Sequence, residues 1–248
     1  MEKGKKYWEF NAKATNEADL FLYIEIASWG GGYCAHSAQS FKAELDALGG
    51  IETLNIYINS PGGDVFEGNA IYNMLKRKAR NCQVNVFVDA LAASISSVIA
   101  MSGKYVGMPG NAMMMIHKSS LGCYGNADDL EKGIELLRKV DISMKQAYLD
   151  KSNGKLDEVI LDAMLNSGDT WLTAQECFDY GLCDEILEEK QISAKYDDKV
   201  LKNYKNVPKA FSFDNKPITG LNLEDKSAEN IKDDEIEVLI KRINNKFK

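Results

Sequence analysis

Two short segments alternate with period two, and each is followed by a helical pattern, an order that leaves few folds open. Leu54, Ile56 and Ile58 alternate with Asn55, Tyr57 and Asn59; Val84, Val86 and Val88 alternate with Asn85, Phe87 and Asp89. A period of two predicts strands. Small residues follow each segment, and then apolar residues at helical spacing: Phe66, Ala70, Ile71, Met74 and Leu75 after the first, Ile95, Val98 and Ile99 after the second. Parallel strands need a crossover and antiparallel ones do not, so β-α-β-α order predicts a parallel sheet with helices packed on it. Further strands are expected at Phe21–Ile26 and Met113–Ile116, and a helix at Ala38–Leu48 carrying Phe41, Leu45 and Leu48. The body is α/β.

A longer helix begins at Asn126, a suitable cap, with Asp128 and Asp129 in its first turn where they favour the helix dipole. Leu130, Ile134, Leu137, Met144 and Tyr148 form its apolar stripe. Core packing is the commoner use of such a stripe, but Asp141 interrupts it and points to a wet neighbour on that side. Further on, Thr173 and Glu176 fit a capping box, and Tyr180-Gly181-Leu182 fits a helix ending in glycine. From Gln191 onward the chain turns polar and rich in Lys, Asn and Asp, with few apolar residues placed to form a core face. The 248 residues therefore divide into a domain over 1–190, a polar linker over 191–230, and a short amphipathic helix over 231–248 carrying Ile236, Leu239, Ile240, Ile243 and Phe247. The tail as a whole is expected to be largely disordered.

Charge and cysteine content narrow the function classes. The formal net charge is −7, and the one short basic cluster, Lys76-Arg77-Lys78 with Arg80, reads as a helix C-terminus, so no nucleic-acid partner is expected. The uncharged run from Ala90 to Gly103 is too short to span a bilayer, and the N-terminal MEKGKKYWEF has no apolar stretch behind its basic residues. No membrane association is expected. Cys34, Cys82, Cys123, Cys177 and Cys183 are scattered, with no C-x-x-C pair and two histidines in the chain, a pattern of reduced cytosolic thiols and of no metal site.

Histidine-dependent chemistry has two candidates. His36 sits in a short loop before a helix, where a solvated or capping role suits it. His117 ends the apolar run MMMIH, and polar groups at the ends of buried strands are where α/β folds bind ligands. Ser94 falls where a strand enters a helix, and two readings stand: a simple N-cap, or a hydroxyl held near the positive helix end as a nucleophile. Ser96, Ser97 and Ser102 are expected to bond carbonyls of their own helix. A nucleophilic serine also needs donors for an oxyanion, and Asn59-Ser60-Pro61-Gly62-Gly63-Asp64 leaves a strand and enters a helix with amides free to supply them. That turn lacks the Gly-Lys-Ser/Thr of a P-loop and the glycine spacing of a dinucleotide fingerprint, which disfavours phosphate.

Four segments, INSPGG-DVFEG-NAIYNML, DALAASISSVIAMSG, MPGNAMMMIHKS and GDTWLTAQECFDYGLCDEI, resemble in order and spacing the Clp-type serine peptidases over roughly residues 20–187. The phrasing is most similar to the ClpP-related head-maturation (prohead) proteases of tailed phages and prophages. The resemblance implies a ClpP/crotonase-like fold of βαβ units with a protruding handle helix, the one beginning at Asn126. It implies Ser94 as nucleophile, His117 as general base and Asp169 as the carboxylate that fixes the imidazole, with the backbone amides of Gly63 and Ile95 as oxyanion hole. Asp162 and Asp179 stand near Asp169 as rivals, and Lys118 is a rival base that strand alternation turns away from the His117 face. Two positions depart from the family pattern: Ala90-Leu91 replaces a glycine before Ala-Ala-Ser, and Ser119 replaces a proline after the histidine.

The resemblance further implies a self-compartmentalising homo-oligomeric ring, or stacked double ring, acting on polypeptides without cofactor or metal in the cytoplasm. MEKGKKYWEFNAK does not resemble the flexible loop that housekeeping members present to a AAA+ ATPase, so an ATP-independent endopeptidase that cuts phage scaffold or capsid protein is expected. The alternatives are an ATP-dependent proteolytic subunit, an inactive assembly protein, and a crotonase-type acyl-CoA enzyme. Were the enzyme to process itself, the linker from about Gln191 to Asn230 is the accessible place to cut.

Overall fold

The computed structural model describes residues 6–13, 16–27 and 37–188. Cys34, His36, the linker over 191–230 and the helix expected over 231–248 lie outside the described residues.

The period-two segments are strands β3 (Thr53–Ser60) and β4 (Gln83–Ala93), paired in parallel from Thr53 with Gln83 to Ile58 with Val88. Leu54, Ile56, Ile58, Val84, Val86 and Val88 are fully buried. Each contributes about 1.5–3 kcal/mol by leaving water, so this double row is the spine of the core. β2 (Glu17–Leu22) runs parallel to β3 on one side, with β1 (Glu9–Ala12) antiparallel at its edge. β5 (Tyr105–Pro109) pairs with the first half of β4, and β8 (Glu185–Leu187) lies beyond β5. The second half of β4 pairs instead with β6 (Met113–Ile116), which pairs antiparallel with β7 (Thr170–Thr173). Among the described residues the sheet is thus eight-stranded and mixed, forking where β4 passes from one partner to the other.

Helix α1 (Ala38–Ala47) buries Phe41 and Leu45, and α2 (Val65–Lys78) buries Gly68, Ile71 and Leu75. Asp64 caps α2 by accepting from the amides of Phe66 and Glu67, and Lys76, Arg77 and Lys78 close its last turn as expected. α3 (Ile95–Ala100) is buried throughout. The long helix is α4 (Ala127–Ser152), followed by α5 (Glu158–Asn166) and by α6 (Ala174–Asp179), whose Thr173–Glu176 capping box forms as the sequence predicts.

Three expectations are corrected. The strand expected at Phe21–Ile26 lies earlier, at Glu17–Leu22, where Ala18, Leu20 and Leu22 point inward. Beyond Leu22 the ladder lapses as β3 approaches Pro61, which has no N–H, and Ile26 returns as an isolated bridge to Gly63. Phe66 is 65% exposed rather than core, because the buried face of α2 follows Gly68, Ile71 and Leu75. The α4 stripe is core only in its second half: Met144, Ala147 and Tyr148 are buried, while Leu130 and Ile134 face outward within the chain.

Candidate active site

The strand register brings three separate parts of the chain to one point. β4 pairs with β6 up to Ala93 and Met115, so Ser94 comes beside Ile116, with its N–H donating to the Met115 carbonyl at 2.9 Å. β6 pairs with β7 up to Ile116 and Thr170, and one further antiparallel step sets His117 opposite Asp169. His117 Nε2 lies 2.8 Å from Ser94 Oγ, and His117 Nδ1 lies 2.9 Å from Asp169 Oδ1. An imidazole that donates Nδ1–H to Asp169 keeps a lone pair at Nε2 to accept from the Ser94 hydroxyl. The His117 side chain is 20% exposed and that of Asp169 10%, so the carboxylate is sheltered while the ring keeps an open edge.

Ser94 occupies the N-cap position of α3, yet its side chain caps nothing; the hydroxyl is turned to His117. Its backbone has φ 54° and ψ −129°, a sparsely populated conformation for a residue with a Cβ that costs about 1–3 kcal/mol. The cost is offset by the packed elements on either side. The Ser94 hydroxyl therefore does not cap α3.

The Ser60–Asp64 turn closes over the same point. A Cβ at Gly62 would lie 2.6 Å from the Ala93 carbonyl oxygen and 2.7 Å from Ser94 Cβ, so only glycine lets the turn approach the serine this closely. Ile26 donates to the Gly62 carbonyl at 2.7 Å and accepts from Asp64 N–H at 2.6 Å, so in this parallel bridge the Gly63 N–H faces away from Ile26. Ile95 is the first residue of α3, where helix amides have no partner within the helix, and its side chain packs on Gly68 of α2.

The rival residues have other partners. Lys118 Nζ donates to Asn166 Oδ1 at 2.5 Å, Asp162 accepts from Lys145 at 2.6 Å, and Asp179 accepts from Gln175 at 2.9 Å. Among the described residues no cluster of three or more His, Cys, Asp or Glu is arranged to hold a metal, and no helix is long and apolar enough to cross a membrane.

The family model for Clp protease matches residues 33–190. The chain belongs to the Clp protease family. Curated relatives include the ATP-dependent Clp protease proteolytic subunit of Bacteroides fragilis, 32% identical over 69% of this chain and 79% of its own length. The subunits of the same name from Porphyromonas gingivalis (31% identical, 69% of this chain, 74% of the relative) and Streptococcus salivarius (34%, 60% and 75%) are also similar. Membership makes the protein a serine-type peptidase, a hydrolase of polypeptides, and favours that reading over the acyl-CoA one.

Sequence reasoning missed the support around this cluster. Asp141 of α4 accepts from both the N–H and the hydroxyl of Ser119, and the Tyr148 hydroxyl bonds Ser97. The wet neighbour expected beside Asp141 is therefore a residue of the same chain. A polar residue within an apolar stripe was the available signal, but nothing in the sequence names its partner.

Proposed function

We propose that the protein is a serine endopeptidase in which Ser94 is the nucleophile, His117 the general base and Asp169 the residue that holds the imidazole. The reading rests on one observation, the unbroken Ser94–His117–Asp169 hydrogen-bond chain with distances of 2.8 and 2.9 Å. Ser94 Oγ attacks the scissile carbonyl carbon as its proton passes to Nε2, and a C–O bond forms. The tetrahedral intermediate collapses, the C–N bond breaks, and the imidazolium protonates the leaving amine. Water then attacks the acyl-enzyme with His117 again as base, which releases the acid and restores Ser94. The amides of Gly63 and Ile95 are proposed as donors to the oxyanion, one from the glycine turn and one from the start of α3. Gly63→Ala tests this: its Cβ would fall 1.9 Å from the Ile26 carbonyl oxygen at φ +144°, so the amide must move. Expected is a fall in kcat of about 100-fold, as for loss of one oxyanion donor. A folded variant with unchanged kcat removes Gly63 from the oxyanion hole.

The proposal extends to a homo-oligomeric ring with the sites inside, in the host cytoplasm. Outward-facing Leu130, Ile134 and Ile142 on α4 support contact with another copy. Residues 1–190 are proposed as the peptidase domain, with the polar linker and terminal helix as an appendage. The substrates proposed are phage scaffold or capsid proteins, cut without ATP, on the strength of the four segments. The names of the relatives favour a second reading, a proteolytic subunit served by an ATPase. Degradation of an unfolded protein such as casein by the purified enzyme, with no ATPase and no nucleotide, separates the two. Steady cleavage supports the first; cleavage confined to short peptides until a AAA+ unfoldase and ATP are added supports the second.

A further inference from the structure

We propose that α4 sets the separation of the two reacting groups, with Asp141 acting as a positioning residue for His117. The inference rests on the reading of Ser94 and His117 as nucleophile and base.

β6 ends at Ile116, so His117 leaves the sheet just where its ring must be held. Downstream, residues 120–130 are all exposed, and among the described residues no strand pairs with them. Between these lies Ser119, and a single carboxylate oxygen, Asp141 Oδ1, takes both of its donors: the backbone N–H at 2.8 Å and the hydroxyl at 2.6 Å. Two charge-assisted bonds from one residue fix its backbone as well as its side chain, two positions beyond the imidazole.

The same helix reaches the serine. Tyr148 is seven residues after Asp141, two turns along the same face. Its hydroxyl lies 2.7 Å from Ser97 Oγ, and Ser97 donates to the Ser94 carbonyl at 2.5 Å. With its proton committed to Ser94, Ser97 accepts from Tyr148, and burial pushes the Tyr148 phenol up so that it stays a donor. One rigid element thus ties down the backbone of Ser94 and the segment that carries His117. A misplacement of about 1 Å at a reacting group costs on the order of 100-fold, so a shift of α4 reads out as turnover.

The test is steady-state kinetics on a short chromogenic peptide or ester with the full-length protein. Asp141→Leu, similar in size but without an acceptor, is expected to lower kcat about 10- to 100-fold with KM within about twofold, in an oligomer of wild-type mass. Asp141→Asn keeps an oxygen that accepts both bonds and is expected to stay within about threefold of wild type. That rescue distinguishes positioning by hydrogen bonds from a general loss of stability or charge. Should Asp141→Leu fail to fold, Ser119→Ala, which keeps the amide bond and loses the hydroxyl, is expected to lower kcat by about 3- to 10-fold with unchanged KM. A kcat within twofold of wild type in Asp141→Leu, or in Ser119→Ala where only that variant folds, overturns the inference. So does an Asp141→Asn enzyme as slow as Asp141→Leu. Ser94→Ala runs alongside: if it is inactive while Asp141→Leu is not impaired, the positioning role alone fails, and if it retains turnover, the underlying reading fails.

Discussion

Ser94→Ala is expected to lower peptide turnover by about a million-fold, and His117→Ala by a similar factor, with the double variant no worse than either. The members of a nucleophile–base pair act on one proton, so removing either removes the whole of the step they share. The fold should survive. Among the described residues the Ser94 side chain bonds to His117, while its N–H bond to Met115 and the packing of Ile95 on Gly68 belong to the backbone and to neighbours. A fluorophosphonate probe read by intact-mass spectrometry checks the assignment directly. One adduct per wild-type chain and none on Ser94→Ala is the expected pair of results. A folded wild-type oligomer that takes no adduct would make this an assembly protein that kept the geometry and lost the reaction.

How far the sequence revealed the fold depended on whether each element carried its own periodicity. β3 and β4 did, because Leu54, Ile56, Ile58 and the three valines alternate with polar or aromatic residues on the other face, all but Asn55 left half-buried. The last residues of β4 did not: Ala90-Leu91-Ala92-Ala93 has neither alternation nor strand propensity, and pairing with Met113–Met115 is what keeps it extended. β1, β7 and β8 are three or four residues long, and the partners of β7 and β8 are fixed by non-local registry that no local pattern records. The apolar stretch from Phe21 to Ile26 points to a strand four residues later than β2 lies, whereas the residues buried against β3 are Ala18, Leu20 and Leu22. At the site, residue types and chain order were legible, but the choice between cap and nucleophile for Ser94 is a statement about where one hydroxyl points. Asp169 entered through resemblance alone; its place follows from continuing the β6–β7 register by one step.

That register also makes Asp169 the position where the mildest substitution should have a disproportionate effect. Asp169→Asn changes one oxygen to nitrogen and is expected to lower kcat about 10,000-fold, less than loss of Ser94 but far beyond the worth of one hydrogen bond. An amide nitrogen facing Nδ1 is a donor, so the imidazole turns to the Nε2–H tautomer and presents a proton, not a lone pair, to Ser94 Oγ. The base is then in place and in the wrong form. No neutral amide stabilises the imidazolium that follows proton transfer, so the second half of the effect falls on the transition state. KM should move little, because Asp169 is turned to the far side of the ring from the serine. Asp162→Asn and Asp179→Asn serve as controls, since their carboxylates are engaged by Lys145 and Gln175, and both are expected within about twofold of wild type. An Asp169→Asn enzyme within tenfold of wild type would mean that His117 keeps its tautomer by some other contact, and the triad would reduce to a Ser94–His117 dyad.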